Sequence, residues 1–159
     1  MKNIFSYGSL MYAAVFDPVA GSTARPTLAT LKDWSRHRIM SKSYPAAVPA
    51  FGAQIEGVLW QDVGQDAVAR LDRFEGDEYR RETVVVTKAD GLTVDADIYR
   101  WLDTTTLEPE DWSREEFEKM HLESFFPDSR ILICSVEKLS GRNLNEKQTV
   151  CPRLTSGTL

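Results

Sequence analysis

The alternation of hydrophobic and polar positions along the chain predicts many short strands and few helices. We expect strands over residues 2–6, 27–32, 37–41, 54–62, 79–88 and 93–101. The last two flank Ala89-Asp90-Gly91-Leu92, a turn sequence typical of a β-hairpin. The segment 43–49 contains two prolines, which donate no backbone hydrogen bond. That segment is therefore expected to be extended but not central in a sheet.

The two ends of the patterned region favour helical structure. Residues 11–19 predict a short helix or irregular turn that ends near Gly21, and a capping box opens a helix expected over 113–126. Beyond Glu137 the chain becomes polar and loses its pattern. We therefore expect one domain over residues 1–136 and a loosely ordered tail over 137–159.

A third helix, predicted over residues 65–75, carries a carboxylate on its apolar face. Asp62 and Gln65 form a candidate capping pair at its start. Burying a carboxylate is costly unless something pairs with it. Glu75 therefore either frays outward or pairs with Arg81, or it is a general acid/base whose pKa is raised by partial burial. At about 100° per residue, Glu75 falls within the apolar stripe, whose members are Ala67, Val68, Leu71 and Phe74.

A glycine-containing turn follows the first predicted strand. The sequence there is Tyr7-Gly8-Ser9-Leu10. Because glycine adopts left-handed dihedrals at little cost, Gly8 would allow successive backbone N–H groups to surround an anion such as a carboxylate. Glycine and serine are also the usual residues of an ordinary turn. The turn by itself leaves both interpretations open.

Composition limits the classes of protein that fit. The chain has 159 residues, 42% of them hydrophobic, which suits one globular domain with a real core. The formal charge of −5 argues against nucleic acid as a partner. No apolar run approaches the ~18 residues of a membrane span, and the N-terminus lacks a signal-peptide pattern. We therefore expect a cytoplasmic protein without a membrane partner, in which Cys134 and Cys151 are free thiols.

The census of reactive residues removes several chemistries. The chain has only two histidines, and neither has other ligands at metal-binding spacing, so no metal is expected. His121 is expected to be a core residue, and His37, between two arginines, to lie on a solvated strand edge. No Gly-x-Ser-x-Gly, phosphate loop or dinucleotide fingerprint is present. What remains is chemistry that one carboxylate and a backbone cradle perform without a cofactor.

Taken together, these motifs resemble the γ-glutamylcyclotransferase-like superfamily, and within it the AIG2-like branch. The resemblance covers roughly residues 1–126. It rests on Tyr7-Gly8-Ser9-Leu10, Tyr44-Pro45, Gly57 with Trp60, the motif Leu71-Asp72-x-Phe-Glu75-Gly76-x-x-Tyr79-x-Arg81, and a late helix with Trp112 and Glu116-Phe117.

The resemblance implies an α+β fold: a small mixed, mostly antiparallel β-barrel with helices packed outside and a pocket at one mouth. It implies that Glu75 is the catalytic acid/base. The implied substrate-binding residues are Tyr7, Gly8, Ser9 and Leu10, with Met11 and Tyr12 extending the cradle, Tyr79 and Arg81 at motif positions where the role is binding or structural, and Tyr44 and Tyr99 near the outer wall.

The activity that the resemblance implies is a cofactor-independent acyltransferase reaction. A γ-glutamyl amine or amino acid, the small-molecule substrate, would cyclise to 5-oxoproline and release the amine. Two other functions stay open: a non-catalytic module that binds an acidic metabolite or partner, and a related acyl or aminoacyl transferase. The leaving amine and the oligomeric state are not predicted.

Overall fold

Five strands close into a barrel in the computed structural model, which describes residues 1–21 and 24–119. Around the barrel their order is β1-β3-β2-β4-β5, and β1 pairs with β5 in parallel while every other pairing is antiparallel. The predicted α+β class and mixed, mostly antiparallel barrel are confirmed. The strands are β1 (Lys2–Ser6), β2 (Pro26–Arg38), β3 (Pro45–Val63), β4 (Tyr79–Lys88) and β5 (Thr93–Trp101).

The helices pack outside the barrel. The side chain of Ser113 accepts a hydrogen bond from the backbone N–H of Glu116, which confirms Ser113 as the N-cap residue. The Glu116 carboxylate lies 3.6 Å from the Arg38 guanidinium, and no hydrogen bond from the Ser113 N–H to it is found within the described residues. Residues 120–126 of the predicted helix lie outside the described part of the chain. His121, both cysteines and the predicted tail also lie outside it. The described helices are α1 (Ala13–Ala20), α2 (Gln65–Glu75) and α3 (Arg114–Phe117), with short 3-10 turns at Ser9–Met11 and Thr104–Thr106.

Strand β2 is one strand where two were predicted. A bulge between Lys32 and Trp34 shifts the register, which interrupts the alternation without ending the strand. The Pro-containing segment also belongs to a strand, as the first part of β3. Its register partners, from Pro45 with Arg38 to Pro49 with Trp34, all lie on β2. The segment is therefore extended at an edge rather than central, as expected, because proline is tolerated where a second neighbour is missing.

Two predictions about single residues are wrong. Helix α2 begins after Gly64, whose N-cap position has no side-chain hydrogen bond, because Asp62 still belongs to β3. The predicted capping pair is therefore absent. His37 is half-buried rather than solvated: its ring contacts Ser35 Oγ at 2.8 Å and the Glu108 carbonyl at 3.0 Å. The segment around Glu108 covers this part of β2, which sequence periodicity does not reveal.

The core has two layers, one on each side of the barrel wall. The inner layer contains side chains from all five strands, among them Phe5, Leu31, Leu59, Val86 and Ile98. The outer layer lies between the wall and the first two helices, and includes Ile4, Phe16, Trp60, Val68 and Leu71.

Gly57 allows the first strand to approach β3 closely. A Cβ at this position would lie 2.5 Å from the Ser6 carbonyl oxygen and 2.6 Å from the Phe5 ring. No side chain fits into such a contact, so the close approach of the two strands requires glycine at position 57. It fixes the end of β1, where the Tyr7-Gly8-Ser9-Leu10 turn begins.

Candidate active site

A cleft of about 220 Å³ opens where the end of β1 meets the C-terminal end of α2. The first part of β3 and the end of β5 complete its walls. Most of the residues predicted from the sequence meet here. The lining consists of Phe5, Ser6, Tyr7, Gly8, Ser9, Leu10, Tyr44, Pro45, Phe74, Glu75, Glu78, Tyr79 and Tyr99.

Glu75 is the last residue of α2, and its carboxyl group is largely shielded from water. This burial raises its pKa from 4.5 to about 7. None of the ion pairs within residues 1–21 and 24–119 includes Glu75. Arg81 pairs with Asp72 and Asp97 instead, so the alternative in which Glu75 pairs with Arg81 is wrong. A carboxyl group with this pKa exchanges protons readily at neutral pH.

The buried face of α2 lies nearer to Glu75 than to Phe74. The Phe74 side chain is 49% exposed, contrary to its predicted place in the core, whereas Leu71 is fully buried. Glu75 is four residues after Leu71 and Phe74 only three, so Glu75 lies closer to the line of the stripe. Phe74 forms part of the cleft wall, and Glu75 points inward.

Three tyrosines of the cleft keep their hydroxyl protons at neutral pH. The hydroxyl of Tyr7 donates to the Tyr99 carbonyl at 2.5 Å, and that of Tyr79 to the Pro45 carbonyl at 2.8 Å. Burial raises the pKa of Tyr7, Tyr79 and Tyr99 above the usual value, and the nearby Glu75 carboxylate adds to the effect. These tyrosines therefore act as hydrogen-bond donors at neutral pH and form walls of the cleft.

The turn after β1 offers backbone donors to the cleft. None of the hydrogen bonds between described residues uses the N–H of Gly8, Ser9 or Leu10. Ser6 adds a buried hydroxyl that has no partner within the described part of the chain. Trp60 fixes the turn from behind, since its indole N–H donates to the Leu10 carbonyl at 3.0 Å. Unpaired donors at one wall suit a carboxylate ligand.

Gly8 is needed for a different reason from the one predicted. Its φ of −134° is not left-handed. A Cβ on Gly8 would lie 2.6 Å from Cγ of Pro45 and 2.8 Å from its Cδ, both atoms of a rigid ring. The turn therefore requires glycine because β3 passes so close to it.

We expect Gly8→Ala to weaken binding of 5-oxoproline or glutamate by about tenfold, because overpacking forces Pro45 and the turn apart. Ser9→Ala is the matched control and should keep affinity within about twofold, because Ser9 offers its main-chain N–H. Isothermal titration calorimetry measures both. Equal affinities in Gly8→Ala and the unmodified chain would contradict the proposed cradle.

Among residues 1–21 and 24–119, no group of three side chains is arranged to hold a metal ion. None of the helices in those ranges is long and apolar enough to cross a membrane.

Comparison with known sequences agrees with the geometry. The sequence model of the family described as "Gamma-glutamyl cyclotransferase, AIG2-like" matches residues 4–114, which include both the turn after β1 and the end of α2. The chain belongs to this family.

Relatives and solved structures support this membership. The chain is 30% identical over 128 residues to AIG2-like protein D of Arabidopsis thaliana, an alignment that covers 79% of this chain and 84% of that protein. A solution structure of an Arabidopsis thaliana protein matches with 26% identity and a TM-score of 0.66, covering 99% of this chain and 95% of the other. A structure titled "Gamma-glutamyl cyclotransferase" has the same fold at 17% identity, with a TM-score of 0.62 and coverage of 96% and 94%.

In this AIG2-like chain, two residues predicted to extend the cradle lie elsewhere. Met11 packs in the outer core layer. Tyr12 donates its hydroxyl to Glu118 at 2.8 Å, and its ring lies 5.8 Å from that of Phe117. Neither residue lines the cleft. The 3-10 turn rotates them away, toward the helices, and both are structural.

Arg81 is also structural. Its guanidinium contacts Asp72 at 2.9 Å and Asp97 at 2.6 Å, which ties α2 to β4 and β5. Burial opposes ionisation of Asp97, but hydrogen bonds from Thr83 and Arg81 hold its pKa below the usual value. Tyr99 joins this network by donating to Asp72 at 2.8 Å. The network fixes the helix that carries Glu75.

We expect Arg81→Ala to lower the free energy of unfolding by about 1–2 kcal/mol, because the buried Asp97 loses one of its partners. The KM for a γ-glutamyl substrate should change by less than about twofold, since Arg81 does not line the cleft. Urea denaturation and steady-state kinetics measure the two effects. Unchanged stability with a large rise in KM would return Arg81 to the binding site.

Sequence reasoning missed part of the AIG2-like cleft. Phe5 and Ser6 are the last residues of β1. Alternation along a strand separates its inward from its outward side chains, but it does not show which of them line a cleft at the end of the barrel. Glu78 occupies an unspecified position of the motif that contains Glu75, directly before Tyr79, and its sequence context is that of an ordinary solvated residue. Its proximity to Tyr44, with an Oε2–hydroxyl distance of 3.2 Å, depends on β3 and could not be inferred from the pattern.

Proposed function

We propose that this chain is a γ-glutamyl cyclotransferase-type enzyme that converts a γ-glutamyl amine or amino acid into 5-oxoproline and a free amine. The observation that carries the proposal is the Glu75 carboxyl group, which has a pKa of about 7 and lines a cleft with unpaired backbone donors. Family membership supports the same reaction class.

The reaction needs no nucleophile from the protein. The α-nitrogen and the γ-carbonyl belong to one substrate molecule, so attack is intramolecular and depends on a folded conformation. A bond forms between the α-nitrogen and the γ-carbonyl carbon, and the bond between that carbon and the amide nitrogen breaks. Two protons leave the α-ammonium, and two reach the departing amine, which leaves as an ammonium ion.

Glu75 is proposed to carry these protons. As a carboxylate it accepts a proton from the α-ammonium, and as a carboxylic acid it donates one to the departing amine. A pKa of about 7 suits both steps, because both forms are populated near neutral pH. A carboxyl group with its ordinary pKa would accept the proton less well and would rarely hold one to give back.

The turn after β1 is proposed to hold the substrate. The N–H groups of Gly8, Ser9 and Leu10 would bind its α-carboxylate or stabilise negative charge on the γ-carbonyl oxygen. The walls formed by Tyr7, Tyr79 and Tyr99 would keep the glutamyl chain folded and exclude water. This chemistry uses no cofactor; that expectation and the cytoplasmic location stay predictions.

Incubation with a panel of γ-glutamyl compounds tests the proposal. The panel contains γ-glutamyl amino acids, γ-glutamyl peptides and γ-glutamyl amines, and chromatography detects 5-oxoproline. We expect 5-oxoproline from at least one class in equal amount to the released amine. Binding without product would indicate a non-catalytic module, and transfer of the glutamyl group to an added amine would indicate a transferase.

A further inference from the structure

The mouth of the cleft carries a carboxylate that the proposed reaction does not use. Glu78 lines the cleft with a side chain that is 54% exposed. The Tyr44 hydroxyl donates to its Oε2 at 3.2 Å, which orients the carboxylate beside the Tyr44 ring. No lysine, arginine or histidine is among the described residues that line the cleft. The lining therefore has negative side chains and no positive one.

The chain's own Lys42 shows how an alkylammonium group fits this mouth. Its Nζ lies 3.8 Å from Oε1 of Glu78 and 5.5 Å from the centre of the Tyr44 ring. A carboxylate and an aromatic face are both groups that attract an ammonium ion. Tyr44, and after it Glu78, raise the pKa of Lys42 above its usual value.

Lys42 is also easy to displace. Its side chain is exposed, and exposed ion pairs contribute little because both partners lose hydration and side-chain freedom to form them. A cation on a bound ligand would already be held in the cleft by the rest of that ligand. It would therefore compete with Lys42 at a high effective concentration.

The surface between the proposed acid/base and this mouth suits an alkyl chain. Phe74, which is 49% exposed, and Pro45 provide apolar wall. Glu78 is three residues after Glu75, which limits the separation of their Cα atoms to about 10–11 Å. A short alkyl chain with a terminal ammonium bridges such a distance.

On the basis of the proposed cyclotransferase function, we propose that Glu78 and Tyr44 bind a positive charge on the departing amine. The preferred substrates are then γ-glutamyl amides of diamines. Amides of neutral amines are less favoured, and those whose leaving group ends in a carboxylate are the least favoured. Glu78 acts by binding rather than by proton transfer, so the preference should lie in KM.

Three γ-glutamyl amides that differ at the far end test this preference. Their leaving amines are 1,5-diaminopentane, pentylamine and 6-aminohexanoate. We expect kcat/KM to fall by about three- to fivefold at each step in that order, which is the size of an exposed charge interaction. Glu78→Gln should abolish the order, whereas Glu56→Gln, an exposed glutamate outside the cleft lining, should preserve it. Lys42→Met should lower the KM for the diamine amide.

Equilibrium binding keeps this proposal separate from the proposed function. The dissociation constants of the same amides, measured by calorimetry with the Glu75→Gln variant, should follow the same order without turnover. Equal constants for the three amides, or an order that survives Glu78→Gln, would overturn the charge site. If the order holds but the unmodified chain forms no 5-oxoproline, the cyclotransferase function fails and the charge site stands.

Discussion

Glu75→Gln is expected to slow 5-oxoproline formation by at least about 100-fold, which is the typical cost of losing a general acid/base. The amide keeps the shape of the side chain but neither accepts nor returns a proton. The loss should be in kcat, with KM nearly unchanged, because the cradle and the tyrosine walls stay in place. Steady-state kinetics with the best substrate of the panel measure the effect.

Glu56→Gln provides the matched control for this experiment. It makes the same chemical change at an exposed position of β3 that does not line the cleft. Its rate should stay within about twofold of the unmodified chain. If Glu75→Gln also stayed within about tenfold, Glu75 would not be the acid/base, because general acid/base catalysis contributes more than this.

Glu75→Gln is also expected to stabilise the protein in alkaline solution. The folded chain holds the pKa of Glu75 at about 7, against 4.5 for the free side chain. Between these values the folded state binds more protons than the unfolded state, so stability falls as pH rises from 4.5 to 7 and is constant above. The full penalty is about 2–3 kcal/mol, and glutamine avoids it because its side chain stays neutral.

Urea denaturation at two pH values measures this effect. At pH 8.5 the variant should exceed the unmodified chain by about 2–3 kcal/mol, and at pH 5 the difference should fall below about 1 kcal/mol. A variant that is less stable at pH 8.5, or equally stabilised at both pH values, would show that Glu75 is not held in an environment that disfavours its charge. Stabilisation with lost activity is expected where an active site buries a group that carries charge.

Much of this fold could be predicted from local pattern. The β4–β5 hairpin has a turn signal between alternating strands, and the structure pairs Thr87 with Thr93 across it. The inward position of Glu75 follows from helical periodicity alone, because a helix places residues four apart on the same face. Closure of the barrel does not follow from pattern and came from resemblance to a family.

What the sequence could not predict depends on contacts between distant segments. The need for glycine at position 8 arises from Pro45 on another strand. Arg81 has two carboxylate partners, and only the fold determines that these are Asp72 and Asp97 rather than Glu75. The continuous β2 was missed because a bulge breaks the alternation that identifies a strand.

The pH dependence of kcat/KM for 5-oxoproline formation tests the central role of Glu75 most directly. For the unmodified chain we predict a rising limb with a midpoint at about 7, the pKa of Glu75 in the folded protein. The rate at pH 5 should be about 100-fold below the plateau, because only the carboxylate accepts the proton. The residual activity of Glu75→Gln should lack this limb. A profile that is flat between pH 5 and 8, or a limb that persists in Glu75→Gln, would contradict the assignment of Glu75 as the acid/base.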